Sequence, residues 1–188
     1  MGRPKAFDEE AAIDAAIAVF REHGFEGTSA QMLVDAMGIG RQSLYNTFGD
    51  KWGIYRSALR RYTLCEIAAH RTALASGSKA VDGLRAMFDR VLGEAAQGCL
   101  GVGSIVEFGP RRRDLIELRA APAAALRDLF VRTVERGQDE GGIAASLDPA
   151  LVATFLVASI AGIRVAARSG ASFAHLASLA DLALRALR

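Results

Sequence analysis

The chain has 188 residues, 51% of them hydrophobic, and a formal net charge of +2. An apolar fraction near half with so little net charge excludes intrinsic disorder, and the near-neutral balance means that partners must be read from local sign patterns. Alanine occurs 36 times and arginine supplies 20 of the 23 basic residues, while aromatics are only 7%. Those are helix-favouring choices, so the fold class expected is all-α.

The length suits one domain, or one domain with a small appended module, and permits a real core without disulfides or metal. Cys65 and Cys99 lie 34 positions apart, which is neither a disulfide framework nor a zinc spacing and fits a reducing cytosol. The basic start, Met1 to Lys5, lacks the apolar stretch of a secretion signal. The longest uncharged run, Pro149 to Ile163, is 15 residues, short of the roughly 18 that suggest a membrane span. A cytoplasmic protein with no membrane partner is expected.

In chain order, Ala12, Ile13, Ala16, Ile17 and Phe20 recur at helical spacing behind Asp8, an N-cap residue, and Gly24 stops that helix. A short helix starts at Thr28 or Ser29 and ends near Met37, before Gly38-Ile39-Gly40. A third spans about Arg41 to Phe48. Asp50 caps a long fourth helix reaching Ser76. The next spans about Ala80 to Ala96, and glycines then leave room only for a short helix over Val102 to Phe108. A long helix from about Arg111 to Gly137 contains Pro122. Asp148-Pro149 opens one that reaches Arg168, and Ser172 caps the last, which ends at Leu187. About nine helices result, with no strand.

Two short helices joined by a glycine-containing turn, Thr28 to Phe48, have the spacing of a helix-turn-helix. Met32, Leu33 and Ala36 are expected to pack inward, with Ile39 plugging the corner and Leu44 pinning the second helix. That leaves Arg41, Gln42, Ser43, Tyr45, Asn46 and Thr47 outward, a set able to bind phosphate or read base edges. Thr28 to Arg61 holds five basic residues and two acidic ones. Turn spacing alone is equally compatible with an ordinary helical protein.

The segments Gly2-Arg3-Pro4-Lys5, Ala15 to Phe20, Gly24 to Ser29, Ala36 to Ile39 and Ser43 to Lys51 resemble the N-terminal domain of TetR-family transcriptional regulators, almost continuously over about 55 residues. The resemblance implies a DNA-binding domain at 1–50 and a ligand-binding and dimerisation domain at 51–188, with 51–76 as linking helix and 148–188 as dimer helices. It implies a homodimer on a palindromic double-stranded DNA operator, released by a small-molecule effector, with no cofactor. Carried over by position, Thr28 meets phosphate through its hydroxyl and backbone N–H groups at the start of the second helix, and Ser29 beside it is a further DNA-binding candidate. Arg41, Gln42 and Ser43 begin the recognition helix, and Thr47 shares its outward face. Tyr45 holds phosphate, Asn46 reaches a base, and Lys51 binds phosphate. Arg3 and Lys5 match a basic arm entering the minor groove. Phe48 matches a structural aromatic. Trp52 departs from the acidic residue common at its place, and either packs on the first helix or touches backbone.

Family C-terminal domains diverge too far to name a ligand. Met87, Phe88, Val91, Val102, Ile105, Val106 and Phe108 are candidate lining for an apolar effector, each also readable as ordinary core. Cys99 has two readings, a buried small hydrophobe at a helix start and a redox or alkylation sensor, the latter because Gly98-Cys99-Leu100 and Glu107 resemble one subgroup of the family. Arg111-Arg112-Arg113 reads as an acidic-ligand contact or a solvated turn. Leu151, Phe155, Ala158 and Gly162 in the penultimate helix, with Phe173, Leu176, Ala180 and Leu184 in the last, are the expected dimer face, completing a four-helix bundle with a second copy. Glu66 and His70, at i and i+4, read as an exposed charge pair in preference to two metal ligands. No metal site and no enzymatic constellation is expected. The other function classes are a helical small-molecule-binding or redox-sensing protein that makes no use of its helix-turn-helix, and an all-helical enzyme.

Overall fold

A computed structural model of the chain describes residues 7–188. Among them are nine helices: α1 (Glu9–His23), α2 (Ala30–Met37), α3 (Arg41–Phe48), α4 (Lys51–Ser76), α5 (Ala80–Gly93), α6 (Leu100–Phe108), α7 (Arg113–Asp139), α8 (Pro149–Arg168) and α9 (Phe173–Arg185). Capping residues set most starts. Asp8 accepts from the N–H groups of Glu10 and Ala11, Asp148 from Ala150, and Ser172 from His175. Pro122 lies inside α7, where it removes one backbone donor from the helix. The chain forms two compact units. Of the described residues, one holds 7–63 together with Cys99–Leu118, the other Leu64–Gly98 and Arg119–Arg188.

In the N-terminal unit, Ala12, Ala16, Ile17 and Phe20 of α1 share a core with Leu33, Met37, Ile39, Leu44, Ile54, Tyr55, Leu59, Leu100, Phe108 and Leu115. Ile39 and Leu44 take the places expected of them, corner plug and pin. Ala36 does not: it is exposed and Met37 is buried instead. Gly38 adopts φ +65 at the end of α2, the left-handed conformation that lets the chain reverse into α3.

The C-terminal unit packs α8 against α9 and α5 against both. Leu84, Met87, Phe88 and Val91 of α5 close on Phe130, Val134, Leu156, Ile160, Ile163, Leu176 and Ala180. By length and composition α8 could cross a membrane, yet Val152, Ala153, Leu156, Ile160 and Ile163 are buried in this core. Its opposite face carries Leu151 and Phe155, 66% and 40% exposed, with exposed Ala158 and Gly162. The α9 stripe behaves differently from expectation. Leu176, Ala180 and Leu184 are buried in the chain's own core, and Phe173 and Leu182 are the exposed large apolar residues of that helix. The most regular apolar stripe of a helix is the face its own chain buries first.

Glu66 and His70 are not an exposed pair. His70 and Arg164 are each 3% exposed, and the Glu66 carboxylate accepts from Arg164 Nη2 and from Arg90 Nη1 (3.2 Å). Arg90 also bonds Glu94 at 2.9 Å, and its Nη2 lies 3.2 Å from His70 Nδ1. Burying a shared carboxylate between two guanidiniums is tolerable only because each charge has a partner. Burial, and after it the Arg90 charge, pushes the His70 imidazole down to about 4. Burial acts to raise the Glu66 carboxyl, but Arg164 and Arg90 outweigh it and hold the group below its ordinary range.

These shifts make stability pH-dependent in a defined direction. Between pH ~6.5 and ~4 the unfolded chain protonates His70 while the folded chain does not, so stability falls as pH drops, by about 3 kcal/mol in all at ~1.4 kcal/mol per pH unit. Glu66 adds to the loss once pH falls below its ordinary value of 4.5, and its share is gone only below its depressed folded pKa. His70→Gln is expected to flatten the fall in Tm between pH 6.5 and 4, measured by thermal unfolding. An unchanged slope would contradict this origin.

Candidate nucleic-acid interface

The α2–α3 pair is the candidate site. Ser29 caps α2 by accepting from Met32 N–H at 3.2 Å. α3 begins at Gly40 with no side-chain cap, so the N–H groups of its first turn have no side chain to satisfy them. Leu44 is fully buried beneath α3, and Arg41, Gln42, Ser43, Tyr45 and Asn46 are exposed, with Thr47 half-buried. The sequence-predicted readers therefore share one open helix face. Arg41 Nη2 lies 3.4 Å from Gln31 Oε1, and Gln31 in turn donates to Asp35 at 2.8 Å. Gln31, exposed on α2, is an additional polar residue beside the readers. Helical periodicity alone gave no reason to single it out. Arg3 and Lys5 lie outside the described residues.

Thr28 differs from expectation. It is 2% exposed, and its Oγ1 donates to the Gly24 carbonyl, so the hydroxyl braces the turn before α2 and does not face solvent. Lys51 is engaged in the same place. Its Nζ donates to the carbonyls of Phe25 and Thr28, each at 2.8 Å, and sits 4.2 Å from the centre of the Phe25 ring. Two of its three N–H donors are thus used within the protein.

Trp52 finds partners within the N-terminal unit that were not expected of it. Its indole N–H donates to Asp114 Oδ2 at 2.8 Å, Arg112 stacks over its face at 3.6 Å, and its ring meets Phe25 and Phe108 edge-on. Burial acts to raise the Asp114 carboxyl, but hydrogen bonds from Arg112 and Trp52 prevail and lower it. The three consecutive arginines consequently diverge: Arg111 donates to the Glu107 carbonyl, Arg112 packs on Trp52, and Arg113 pairs with Glu117. The basic surplus of the segment is also smaller than its count. Arg61 is bound by Asp14 and Glu10 of α1 at 2.6 and 2.9 Å, and Arg56 lies 3.8 Å from Asp114. The Arg61 hydrogen bond holds the Asp14 carboxyl below its usual range.

The expected effector lining divides. Met87, Phe88 and Val91 are buried in the C-terminal core, whereas Cys99, Val102, Ile105, Val106 and Phe108 belong to the N-terminal unit. Ile105 and Val106 are 57% and 75% exposed there. Cys99 is half-buried and caps α6, its Sγ 3.4 Å from Val102 N–H. Among the described residues no group of three or more His, Cys, Asp or Glu is placed to hold a metal.

A buried corner, a left-handed glycine between two short helices and an open polar face on the second define a helix-turn-helix protein. Residues 12–58 match the bacterial regulatory proteins of the tetR family, and residues 80–181 match the tetracyclin repressor-like C-terminal domain. The chain belongs to the TetR family of transcriptional regulators. The HTH-type transcriptional repressor ComR of Escherichia coli K12 is 32% identical over 98% of this chain and 90% of its own. An HTH-type transcriptional regulator of Bacillus subtilis 168, YezE, is 31% identical over the whole of both. Among solved structures, a cysteine mutant of the TetR family regulator CifR, complexed with 26-bp double-strand operator DNA, is 30% identical and superposes with a TM-score of 0.84 over 99% of this chain and 100% of that one. Reduced NemR of E. coli, 21% identical over 93% of each chain with a TM-score of 0.81, shares the fold.

The internal use of the Thr28 hydroxyl is directly testable. Thr28→Val keeps the shape and removes the donor, leaving the Gly24 carbonyl without it. Stability is expected to fall by about 1–2 kcal/mol, while the salt dependence of DNA binding stays that of wild type. A flatter salt slope with unchanged stability would show a phosphate contact instead.

Proposed function

We propose that the protein is a cytoplasmic, homodimeric repressor, not an enzyme, that reads two half-sites of a palindromic operator with α3. The observation that carries this is the open face of α3, where Arg41, Gln42, Ser43, Tyr45 and Asn46 are all exposed above a fully buried Leu44. Arg41, Gln42 and Asn46 read base edges in the major groove, while Ser29, Ser43, Tyr45 and Thr47 hold phosphate. Arg3 and Lys5 enter the adjacent minor groove. Lys51 fixes the turn before α2 and turns its remaining N–H to the backbone. Thr28 contributes through its main chain. This division assigns residues 1–50 to DNA and 51–188 to effector binding and dimerisation, with 51–76 linking them.

The second copy covers the exposed face of α8. Leu151, Phe155, Ala158 and Gly162 offer an apolar, small-residue surface on which a two-fold mate can pack closely, and Phe173 and Leu182 extend it onto α9. An apolar effector enters the C-terminal unit beside Met87, Phe88 and Val91. It relieves repression only if it binds the DNA-competent and DNA-released states with different affinity. The TetR-family operator complex of a 30%-identical relative supports the same reading.

Selection from a random duplex pool supplies the operator for two tests. Arg41→Ala is expected to cost about 1–3 kcal/mol on the selected duplex and to relax preference at one base pair of each half-site. Wild-type binding that is equal on selected and scrambled duplexes would overturn the regulator reading. Phe155→Arg is expected to yield a folded monomer by sedimentation, with operator affinity lost. A dimer of unchanged affinity would remove α8 from the interface.

A further inference from the structure

The turn Gly24–Thr28 joins α1 to the helix-turn-helix, and its backbone polar groups are held by side chains distant in sequence. Glu107, near the end of α6, places Oε2 3.0 Å from Phe25 N and Oε1 2.9 Å from Glu26 N. One carboxylate thus accepts from two consecutive N–H groups that lie between helices and have no helical partner there. Lys51 takes the Phe25 and Thr28 carbonyls, and Thr28 itself takes that of Gly24. An anion and a cation therefore grip the same five residues. Between them the Phe25 ring is enclosed by Trp52, Tyr55 and Phe108 at centroid distances of 5.1, 5.2 and 5.6 Å. Gly24 reaches the required bend with φ +69, a conformation other residues rarely adopt.

The next residue after this turn is Ser29, the cap of α2, and α2 carries α3 through Gly38. Any rotation of the turn is passed directly to the face that meets DNA. Lys51 belongs to α4, which follows α3 in the chain. Glu107 does not: it lies about sixty residues beyond α3, on a helix that has no place in the helix-turn-helix.

We propose that Glu107 is a positioning residue for operator reading, setting the presentation of α2 and α3 by holding the Phe25 and Glu26 N–H groups, so that any displacement of α6 is felt at the DNA-binding face. The inference rests on the DNA-binding reading and adds to it the point at which α6 acts. A brace that merely stabilised the unit would lower all binding in proportion to the folded fraction. A positioning residue lowers the preference for operator over other DNA, because phosphate attraction tolerates small rotations and base reading does not.

The test compares wild type with Glu107→Gln, which keeps the size but offers one acceptor where two were used, and with Glu107→Asp, which keeps both acceptors on a shorter arm. Affinity for the selected duplex and for its scrambled counterpart is measured at a temperature where all three are fully folded, alongside amide exchange. For Glu107→Gln the expected result is an operator affinity lowered about tenfold, the equivalent of one charge-assisted hydrogen bond, with less than about twofold change on scrambled DNA. Exchange at Phe25 and Glu26 should quicken while that of core amides in α1 stays put. Glu107→Asp should fall between. Unchanged operator affinity, or operator and scrambled affinities falling together, would overturn the proposal. If Glu107→Gln does not fold, the Asp variant carries the same comparison. If wild type itself shows no preference for the selected duplex, the DNA-binding reading fails first. In that event the exchange rates at Phe25 and Glu26 decide whether the Glu107 contact holds the turn, and slow exchange unaffected by the substitution would overturn it.

Discussion

Five residues between α1 and α2, Gly24 to Thr28, must be held with little help from secondary structure, and the N-terminal unit is arranged to do so. A turn of this kind exposes backbone donors and acceptors that cost free energy if buried unpaired. Here Glu107 takes two N–H groups, Lys51 two carbonyls and Thr28 a third carbonyl. The Phe25 ring fills the space between α1, α4 and α6. Because the turn feeds α2 directly, the same bonds that satisfy it also fix where α3 points. Its reading face can then be built from exposed polar residues that contribute nothing to the core.

This division of labour explains which residues were legible in the sequence. The caps Asp8, Ser29, Asp148 and Ser172 and the breaks at Gly24 and Gly38 are local signals, and the helices begin and end close to where those signals put them. The outward face of α3 was legible because Leu44 is its one fully buried position and Phe48 packs at its end, which leaves Arg41, Gln42, Ser43, Tyr45 and Asn46 to point away. Thr28 was not, since a threonine beside a helix start reads equally as a phosphate ligand or as a brace, and only the Gly24 carbonyl above it decides. Glu107 was out of reach for the same reason: its partners lie more than eighty positions away and present backbone, which leaves no pattern in side-chain identity. Trp52 found its partners, Arg112 and Asp114, at a similar remove.

Charge counting needed the same correction. Five basic residues between Thr28 and Arg61 suggested a surface field, but Arg61 is bound to the acids of α1, Arg56 lies near Asp114, and Lys51 is turned into the α1–α2 turn. What faces outward from α3 is one arginine among neutral polar side chains. Such a face favours discrimination between sequences over general attraction to phosphate.

In the C-terminal unit the periodic stripe of α9 is consumed by the chain's own core, and the exposed apolar residues of α8, which follow no single strict repeat, are the ones we propose for a second copy. The set of Glu66, His70, Arg90 and Arg164, two of them buried and two half-buried, sits in the same unit. Two of its members looked like an ordinary surface pair until Arg164, nearly a hundred positions away, was placed beside them. The central claim, that two copies of α3 read one operator, is tested most directly by hydroxyl-radical footprinting of the selected duplex. The account predicts two protected half-sites related by a dyad, their centres one helical turn or a whole number of turns apart, about 34 Å per turn. Uniform protection along the duplex, or a single protected site of unchanged strength when one half-site is scrambled, would contradict it.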